Sequence, residues 1–337
     1  MNDFTLPTGP IAQSNTSSTG PIKPKWFFTE DELRRSPSCL KGISTMEEQR
    51  YIQSGCLFIR TIADRLNEMQ PEGKISQLCI CVSMVHLKRF FVVHTLKDFD
   101  ARDVGAAVLF LTSKSEECPK RLEYIVRTWY KLRVEHEVHQ KEVDRTAVIN
   151  KETYHKLVEY IVWIENIVLQ TIGFNFAIDI PHPFVLRAKD LFRKNDNKFA
   201  EFVFWLTTDI IHITNWCIRY KPSVIAGAAF YMAIIWSEHN TSLPARGAKG
   251  EEWYQWFDPT LTQQQLEDMS NEFVQLWKHA ELRQMGKISK VDHQALAERI
   301  QRNSSSNSTP NTNTTISSSS PASSSSRPKT SESSRNR

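Results

Sequence analysis

The chain has 337 residues and a net charge of +4, and 40% of its residues are hydrophobic. This length predicts about two domains with hydrophobic cores of their own. Eleven glycines are few for this length and argue against glycine-rich cofactor loops. No P-loop, nucleophile-elbow or dinucleotide-binding pattern is present. Composition and motifs therefore give no positive evidence for an enzyme, and the mild positive charge permits an acidic partner without requiring one.

Cysteine usage and hydropathy indicate the compartment. None of the six cysteines forms a C-x-x-C pair, and Cys79 and Cys81 lie two positions apart in an apolar segment. Residues two apart on a helix do not face each other, so we expect free buried thiols and a reducing environment. The first 20 residues lack an apolar signal-peptide region, and the longest uncharged apolar run, 222–237, is shorter than a membrane span. We therefore expect a soluble intracellular protein.

The first half of the chain predicts a flexible leader over 1–25 and then five helices. These helices run from a capping box at Thr45 and Glu48 to about Asn67, from Ser76 to Thr95, from Asp100 or Asp103 to the Glu117-Cys118-Pro119 stop, from Leu122 to Lys131, and from Asn150 to Thr171. Ser76 to Thr95 is apolar almost all round, which predicts a buried helix. Gly173 follows the last helix, where C-caps favour glycine.

The second half repeats this organisation after a boundary at Pro181 to Pro183. Its helical patterns cover 183–194, 197–219, 222–239, 251–257 and 262–280, and no convincing alternating strand pattern appears. Segment 281–301 is amphipathic enough to extend the fold or to bind a partner helix. Residues 302–337 are rich in Ser, Asn and Thr and predict a disordered tail, either phosphorylated or inert.

The two halves also share a motif at a constant offset of 120 residues. Val104–Leu111 resembles Val224–Tyr231, with Ala106 matching Ala226 and Phe110 matching Phe230. Small residues allow neighbouring helices to approach closely, so each segment is a candidate central helix of its bundle. We therefore predict an all-α fold built from two tandem five-helix repeats.

Several stretches resemble the cyclin family. Ala106–Glu117, with its Lys-x-Glu-Glu ending, resembles the third helix of a cyclin box, and Val162–Phe176 resembles the fifth helix and its exit. Similarity to the cyclin T branch rests on three further stretches, Trp26–Leu33, Ile180–Pro183 and Glu252–Phe257. Cyclin K is the nearest rival. The resemblance implies an N-terminal segment and first cyclin box over 26–178 and a second cyclin box over 179–280.

The resemblance also implies a kinase-binding site and a function. In cyclins the charges that match Lys114 and Glu165 reach backbone groups around the αC helix of a cyclin-dependent kinase. The remaining expected contacts are Glu117, Leu111, Leu169, Phe174 and Phe176. We expect a nuclear regulatory subunit without catalytic activity, cofactor or metal. Its expected partner is cyclin-dependent kinase 9, acting on the C-terminal repeats of RNA polymerase II as in positive transcription elongation factor b.

Each of these residues also has a structural interpretation. Lys114 could be a solvated lysine favoured by the helix dipole, and Glu165 a surface carboxylate or an internal partner of Lys114. The four apolar residues could be plain core. The second repeat carries Ile234 at the position of Lys114, which argues against a structural need for the charge.

Other signals favour different functions less strongly. His136 and His139 lie in a polar stretch without the cysteines or second histidine pair of a zinc site. The basic clusters at Lys120, Arg121, Arg127, Lys131 and Arg133 and at Arg187, Lys189, Arg193 and Lys194 fit a solvated face, or a nucleic-acid or acidic-peptide contact. The rival functions are a cyclin K-like activator and a DNA-binding factor resembling transcription factor IIB. That factor would carry an N-terminal zinc ribbon, which this sequence lacks, and we expect no direct nucleic-acid binding.

Overall fold

The computed structural model describes residues 26–70, 72–138, 150–192, 197–236, 252–279 and 293–307. These residues form the α-helices α1 (Glu30–Leu33), α2 (Pro37–Leu40), α3 (Thr45–Met69), α4 (Gln77–Val93), α5 (Ala101–Ser115), α6 (Leu122–Val138), α7 (Lys151–Thr171), α8 (His182–Phe192), α9 (Asn197–Ile213), α10 (Pro222–Trp236), α11 (Gln263–His279) and α12 (His293–Asn307). Short 3-10 helices cover Trp216–Ile218 and Trp253–Trp256. The described part of the chain contains no strand, so the predicted all-α class is confirmed.

Helix α5 is the centre of the first bundle, which contains α3 to α7. It packs against α3, α4, α6 and α7, and nearly its whole length is buried. A Cβ atom added at Gly55 of α3 would lie 2.7 Å from the carbonyl oxygen of Ala101, and one added at Gly105 would lie 3.2 Å from the carbonyl oxygen of Gly55. Glycine at these two positions therefore permits the close crossing of α3 and α5.

Helix α10 has the same central position in the second bundle, as the repeat predicts. It packs against α8, α9, α11 and α12. Helix α12 contributes the buried side chains of Leu296, Ala297 and Ile300 to the second core. The fifth α-helix of this bundle is therefore α12, whereas the predicted element at 251–257 is only a 3-10 turn.

Several predicted boundaries need correction. The capping box of α3 uses Ser44 and Glu47, one residue before the predicted pair. Helix α6 continues beyond Lys131 to Val138, and α9 ends at Ile213 rather than at 219. Helix α12 extends to Asn307, so order continues past the predicted tail boundary at 302. The predicted leader and residues 281–292 and 308–337 lie outside the described residues.

A buried polar junction joins the two bundles. Lys88 of α4 is 1% exposed, and its ammonium donates to the carbonyl oxygens of Ile211, of His212 at 3.4 Å and of Thr214 at 2.5 Å. These carbonyls belong to the C-terminal end of α9, where a cation also complements the helix dipole. The carbonyl groups at the C-terminal end of α9 are therefore bound by a lysine of the first bundle.

Two further contacts fix the same junction. Arg60 of α3 lies 3.6 Å from the carboxylate of Asp209 of α9, and both side chains are buried. The side-chain amide of Gln53 donates to the carbonyl oxygen of Ile213 at 2.7 Å. Breaking a buried pair by removing one partner is costly, so these contacts favour one relative orientation of the two bundles.

The N-terminal segment crosses this junction. Arg89 of the first bundle lies over the Trp26 ring at 4.7 Å, and the amide of Phe28 donates to the carbonyl of Ile218 at 2.8 Å. Arg219 contacts Glu30 at 3.7 Å. The segment therefore contacts both bundles before the first bundle begins.

Candidate functional site

The C-terminal end of α5 presents Lys114. The amide of Glu116 donates to Thr112 and that of Cys118 to Ser113, which closes the last turn. Glu117 has a φ of 56°, the left-handed conformation typical of a helix C-cap, although it is not a glycine. The turn leaves Lys114 and Glu117 exposed at the end of a buried helix.

Helix α7 places Glu165 beside this end. Asn150 caps α7 by accepting the amide of Thr153 at 2.7 Å. The buried face of the helix repeats at three- and four-residue intervals through Ile161, Ile164 and Val168, and Glu165 lies next to it. Glu165 is only 7% exposed, which is rare for a carboxylate without a partner.

Lys114 is that partner. Its ammonium lies 2.5 Å from Oε1 of Glu165, although the two residues are 51 positions apart in sequence. The Lys114 side chain remains 43% exposed, whereas that of Glu165 is 9% exposed. The structure therefore brings together the two charges that the resemblance singled out, and it also shows the internal pairing that was the alternative interpretation.

The exit of α7 carries the most exposed apolar residue of the predicted set. Gly173 and Phe174 both have left-handed backbone, with φ values of 59° and 58°. The amide of Phe174 donates to the carbonyl of Leu169 at 3.1 Å. This conformation is uncommon for an aromatic residue and costs backbone energy, yet the Phe174 side chain is 65% exposed. Strained backbone that projects an aromatic ring into solvent is typical of a binding site.

The other three apolar candidates are less accessible. Leu111 is 5% exposed and belongs to the first core, as the structural interpretation had it. Leu169 and Phe176 are half-buried and pack against that core with one side. The residues that can offer apolar area to a partner are therefore Phe174, Leu169 and Phe176, whereas Leu111 is part of the core.

Sequence reasoning missed one residue at this site. The Lys114 ammonium lies 4.0 Å from the centroid of the Phe110 ring. Phe110 precedes Lys114 by four positions on α5, a spacing that places side chains on the same face. The sequence contains this spacing as a signal, although it also places Phe110 in the repeat motif.

The residues of the first predicted basic cluster differ in exposure, and two of them have acidic partners. Lys120 is buried, Arg127 contacts Glu123 at 2.9 Å, and Arg133 contacts Asp100 at 2.6 Å. Arg121 and Lys131 are exposed. In the second cluster Arg187 lies over the Phe184 ring, while the side chains of Lys189, Arg193 and Lys194 lie outside the described residues.

The described residues contain no cluster of three or more His, Cys, Asp or Glu side chains that could hold a metal ion. His139 of the rejected histidine pair lies outside the described residues. Within the described ranges, no helix combines the length and the apolar character needed to cross a membrane.

Comparison with known proteins identifies both bundles. The model of the cyclin N-terminal domain matches residues 26–177, and that of the Cyclin-T2-like C-terminal domain matches residues 180–276. The chain belongs to the cyclin family. Its first bundle is a cyclin N-terminal domain and its second a Cyclin-T2-like C-terminal domain, and a cyclin is a regulatory subunit rather than a catalytic enzyme.

Individual relatives carry the same family name. The chain is 28% identical to Cyclin-T1.1 of Caenorhabditis elegans over 85% of its length, 30% identical to Cyclin-T of Drosophila melanogaster over 85%, and 30% identical to Cyclin-T1 of Homo sapiens over 75%. It spans only 60%, 23% and 32% of those relatives. A chain of the yeast RNA Pol II CTD kinase CTDK-1 complex matches with a TM-score of 0.58 at 13% identity, covering 86% of both chains, which shows the fold alone.

Proposed function

We propose that this cyclin binds and activates a transcriptional kinase of the cyclin-dependent kinase 9 type through the surface formed by Lys114, Glu165, Leu169, Phe174 and Phe176. The observation that carries the proposal is the Lys114–Glu165 pair, held at 2.5 Å, together with the exposed ring of Phe174, which follows the C-terminal end of the helix that carries Glu165. A purely structural pair would not require that ring to project into solvent.

The chemistry of the pair suits the end of a kinase helix. An ammonium offers three donors and a carboxylate only acceptors, so the two groups together can bind both free carbonyls and free amides. Glu165 occupies one donor of Lys114, which leaves two for a partner. The exposed Phe174 supplies the apolar area that such a polar contact needs around it to exclude water.

Binding at this surface explains how a cyclin that catalyses no reaction can activate a kinase. A kinase is active only when its αC helix is placed so that the β3-lysine pairs with the αC-glutamate. A rigid helical surface that binds only this arrangement shifts the kinase population towards it. The buried central helix α5 and the two-sided support of Lys114 supply that rigidity.

The kinase class is proposed from the relatives. The proteins that match most of the chain are named cyclin T, and the matched complex is a kinase of the RNA polymerase II C-terminal domain. We therefore propose that the complex phosphorylates the C-terminal repeats of RNA polymerase II, promotes transcription elongation and works in the nucleus. A cyclin K-like pairing with a related transcriptional kinase is the nearest alternative.

The test is co-expression with individual kinases. The full chain is co-expressed with cyclin-dependent kinase 9 and, separately, with other transcriptional and cell-cycle kinases, and activity is measured on polymerase C-terminal repeat peptides. Selective activation of cyclin-dependent kinase 9 is expected. Activation of a different transcriptional kinase alone would replace the partner, and failure with every kinase would refute the proposed function.

A matched pair of lysine variants tests the site itself. Lys114→Met should weaken kinase binding by about 2–5 kcal/mol, a loss that a titration can measure, because a buried charged contact with the kinase would lose its donor. Lys41→Met removes a comparable half-exposed lysine, which pairs with Asp98 at 2.9 Å on another part of the surface. Equal effects of the two variants would show that the site lies elsewhere.

A further inference from the structure

The Phe110 ring lies beneath the ammonium of Lys114. The nitrogen is 4.0 Å from the ring centroid, a distance at which the ring quadrupole attracts a cation. Phe110 is half-buried and packs against the first core on one side. The ring is therefore anchored while its other side contacts the exposed lysine.

Lys114 is thus restrained by two groups. Glu165 lies 2.5 Å from its nitrogen, and its side chain is 9% exposed and itself fixed in the face of α7. A lysine on a surface normally samples many rotamers and loses this freedom when it binds a partner. With the ring and the carboxylate in place, most of that freedom is already lost in the free chain.

We infer that Phe110 is a positioning residue that pre-organises Lys114 for the kinase, an inference that rests on the proposed function. A group held in its bound orientation before association loses less entropy on binding. Phe110 acts through Lys114 and does not need to contact the kinase. The effect of changing Phe110 on kinase affinity must therefore vanish when Lys114 is absent, whereas a general packing role would persist.

A double-mutant cycle on the full chain tests this dependence. The variants are Phe110→Leu, which keeps apolar volume and removes the ring, Lys114→Met, and both together, with affinity measured against purified cyclin-dependent kinase 9. Phe110→Leu should weaken binding about three- to tenfold. In the Lys114→Met background the same change should have no further effect. Phe110→Tyr restores an aromatic face and should bind within about twofold of the wild type.

A matched control has the same chemistry in the other box. Arg187 lies over the half-buried Phe184 ring at 4.8 Å, so Phe184→Leu removes an equivalent cation–ring contact away from the site. It should leave kinase affinity unchanged. The Lys114 ε-methylene protons should show an upfield ring-current shift in NMR spectra of the free chain, and Phe110→Leu should remove it.

The outcomes separate the two claims. If the wild type binds and Phe110→Leu weakens binding equally with and without Lys114, Phe110 is only a packing residue and the inference is wrong while the proposed function stands. The inference is also wrong if Phe110→Leu binds as the wild type does. If the wild type binds no kinase, the proposed function fails first and the inference fails with it, whatever the NMR shift shows.

Discussion

The ammonium of Lys88 in the first box lies 2.5 Å from the carbonyl oxygen of Thr214 in the second box. This lysine is 1% exposed and also donates to the carbonyls of Ile211 and His212. Each ammonium hydrogen thus has an acceptor, and the end of α9 has its partners. The contact joins the two boxes through one side chain.

Lys88→Met should therefore destabilise the whole chain. Methionine fills a similar volume but leaves the carbonyls at the end of α9 buried without donors, at a cost of about 3 kcal/mol. Urea unfolding measures the change in the free energy of unfolding. Lys221→Met is the matched control, because Lys221 is 67% exposed and its carboxylate partner among the described residues is Asp258, at 3.3 Å. It should cost below about 1 kcal/mol, and similar losses for both variants would contradict the role given to Lys88.

Phe174→Gly should stabilise the fold and weaken kinase binding. Glycine adopts the left-handed backbone of this position without strain, which is expected to add about 0.5–1 kcal/mol to the free energy of unfolding. Loss of the exposed ring should cost about 1–3 kcal/mol of binding free energy. Thermal unfolding and kinase titration measure the two effects separately.

Glu117→Gly is the control for the stabilisation expected when glycine replaces a residue with left-handed backbone. Glu117 has nearly the same φ, so its replacement should give a similar stabilisation. If Phe174→Gly destabilises the chain while Glu117→Gly stabilises it, the Phe174 ring is part of the fold rather than a binding group.

Stability should fall as the solution is acidified below about pH 6.5. Burial lowers the pKa of His86 to about 3 and those of His182 and His212 to about 4, so the folded chain binds fewer protons than the unfolded chain in this range. The stability that these neutral histidines contribute is present above pH 6.5 and is lost as the pH falls towards 4, roughly 3 kcal/mol for each.

Asp103 opposes this trend. Burial raises its pKa to about 6, so its contribution is present at low pH and is lost as the pH rises towards 6. Three histidines outweigh one carboxyl, and urea unfolding at pH 7.5 and pH 5 should show lower stability at pH 5. His86→Leu should reduce the difference, since neither ring nitrogen has a hydrogen-bond partner among the described residues. His155→Leu, at a side chain 77% exposed, should leave it unchanged. Equal stability at both pH values would contradict the prediction.

Leu296→Ala should destabilise the second box. Leu296 of α12 is fully buried against the second core, so its truncation should cost about 2–4 kcal/mol in the free energy of unfolding. Gln294→Ala changes an exposed residue of the same helix and should cost little. An unchanged free energy of unfolding for Leu296→Ala would show that α12 does not belong to the folded box.

The fold class and the central helices could be predicted because periodicity and small residues act locally. The segments around Ala106 and Ala226 indicate buried central helices from composition alone. The sequence left open whether segment 281–301 extends the fold or binds a partner helix, because few buried residues mark this helix, which runs into a Ser-rich stretch; those described are Leu296, Ala297 and Ile300. Their partners lie far away in the sequence, and tertiary packing decides such helices.

The start of α3 could be predicted only to within one residue. Ser44 and Thr45 each precede a glutamate by three positions, so the sequence pattern alone could not decide between two capping boxes.

The site was predictable only in part, because its residues are far apart in the sequence. The proximity of Lys114 and Glu165 followed only from the family resemblance, since 51 residues separate them. The local sequence shows the four-residue spacing of Phe110 and Lys114, but it does not show whether the Phe110 ring lies in the core or at the surface.

A charge swap at Lys114 and Glu165 tests whether this pair binds the kinase. Lys114→Glu and Glu165→Lys each break the internal pair, and the double variant restores it with the charges reversed. We expect the double variant to recover thermal stability towards the wild type, while all three variants fail to bind and activate the kinase. Recovery of kinase binding in the double variant would show that the pair only supports the fold, and that the cyclin meets its kinase through other residues.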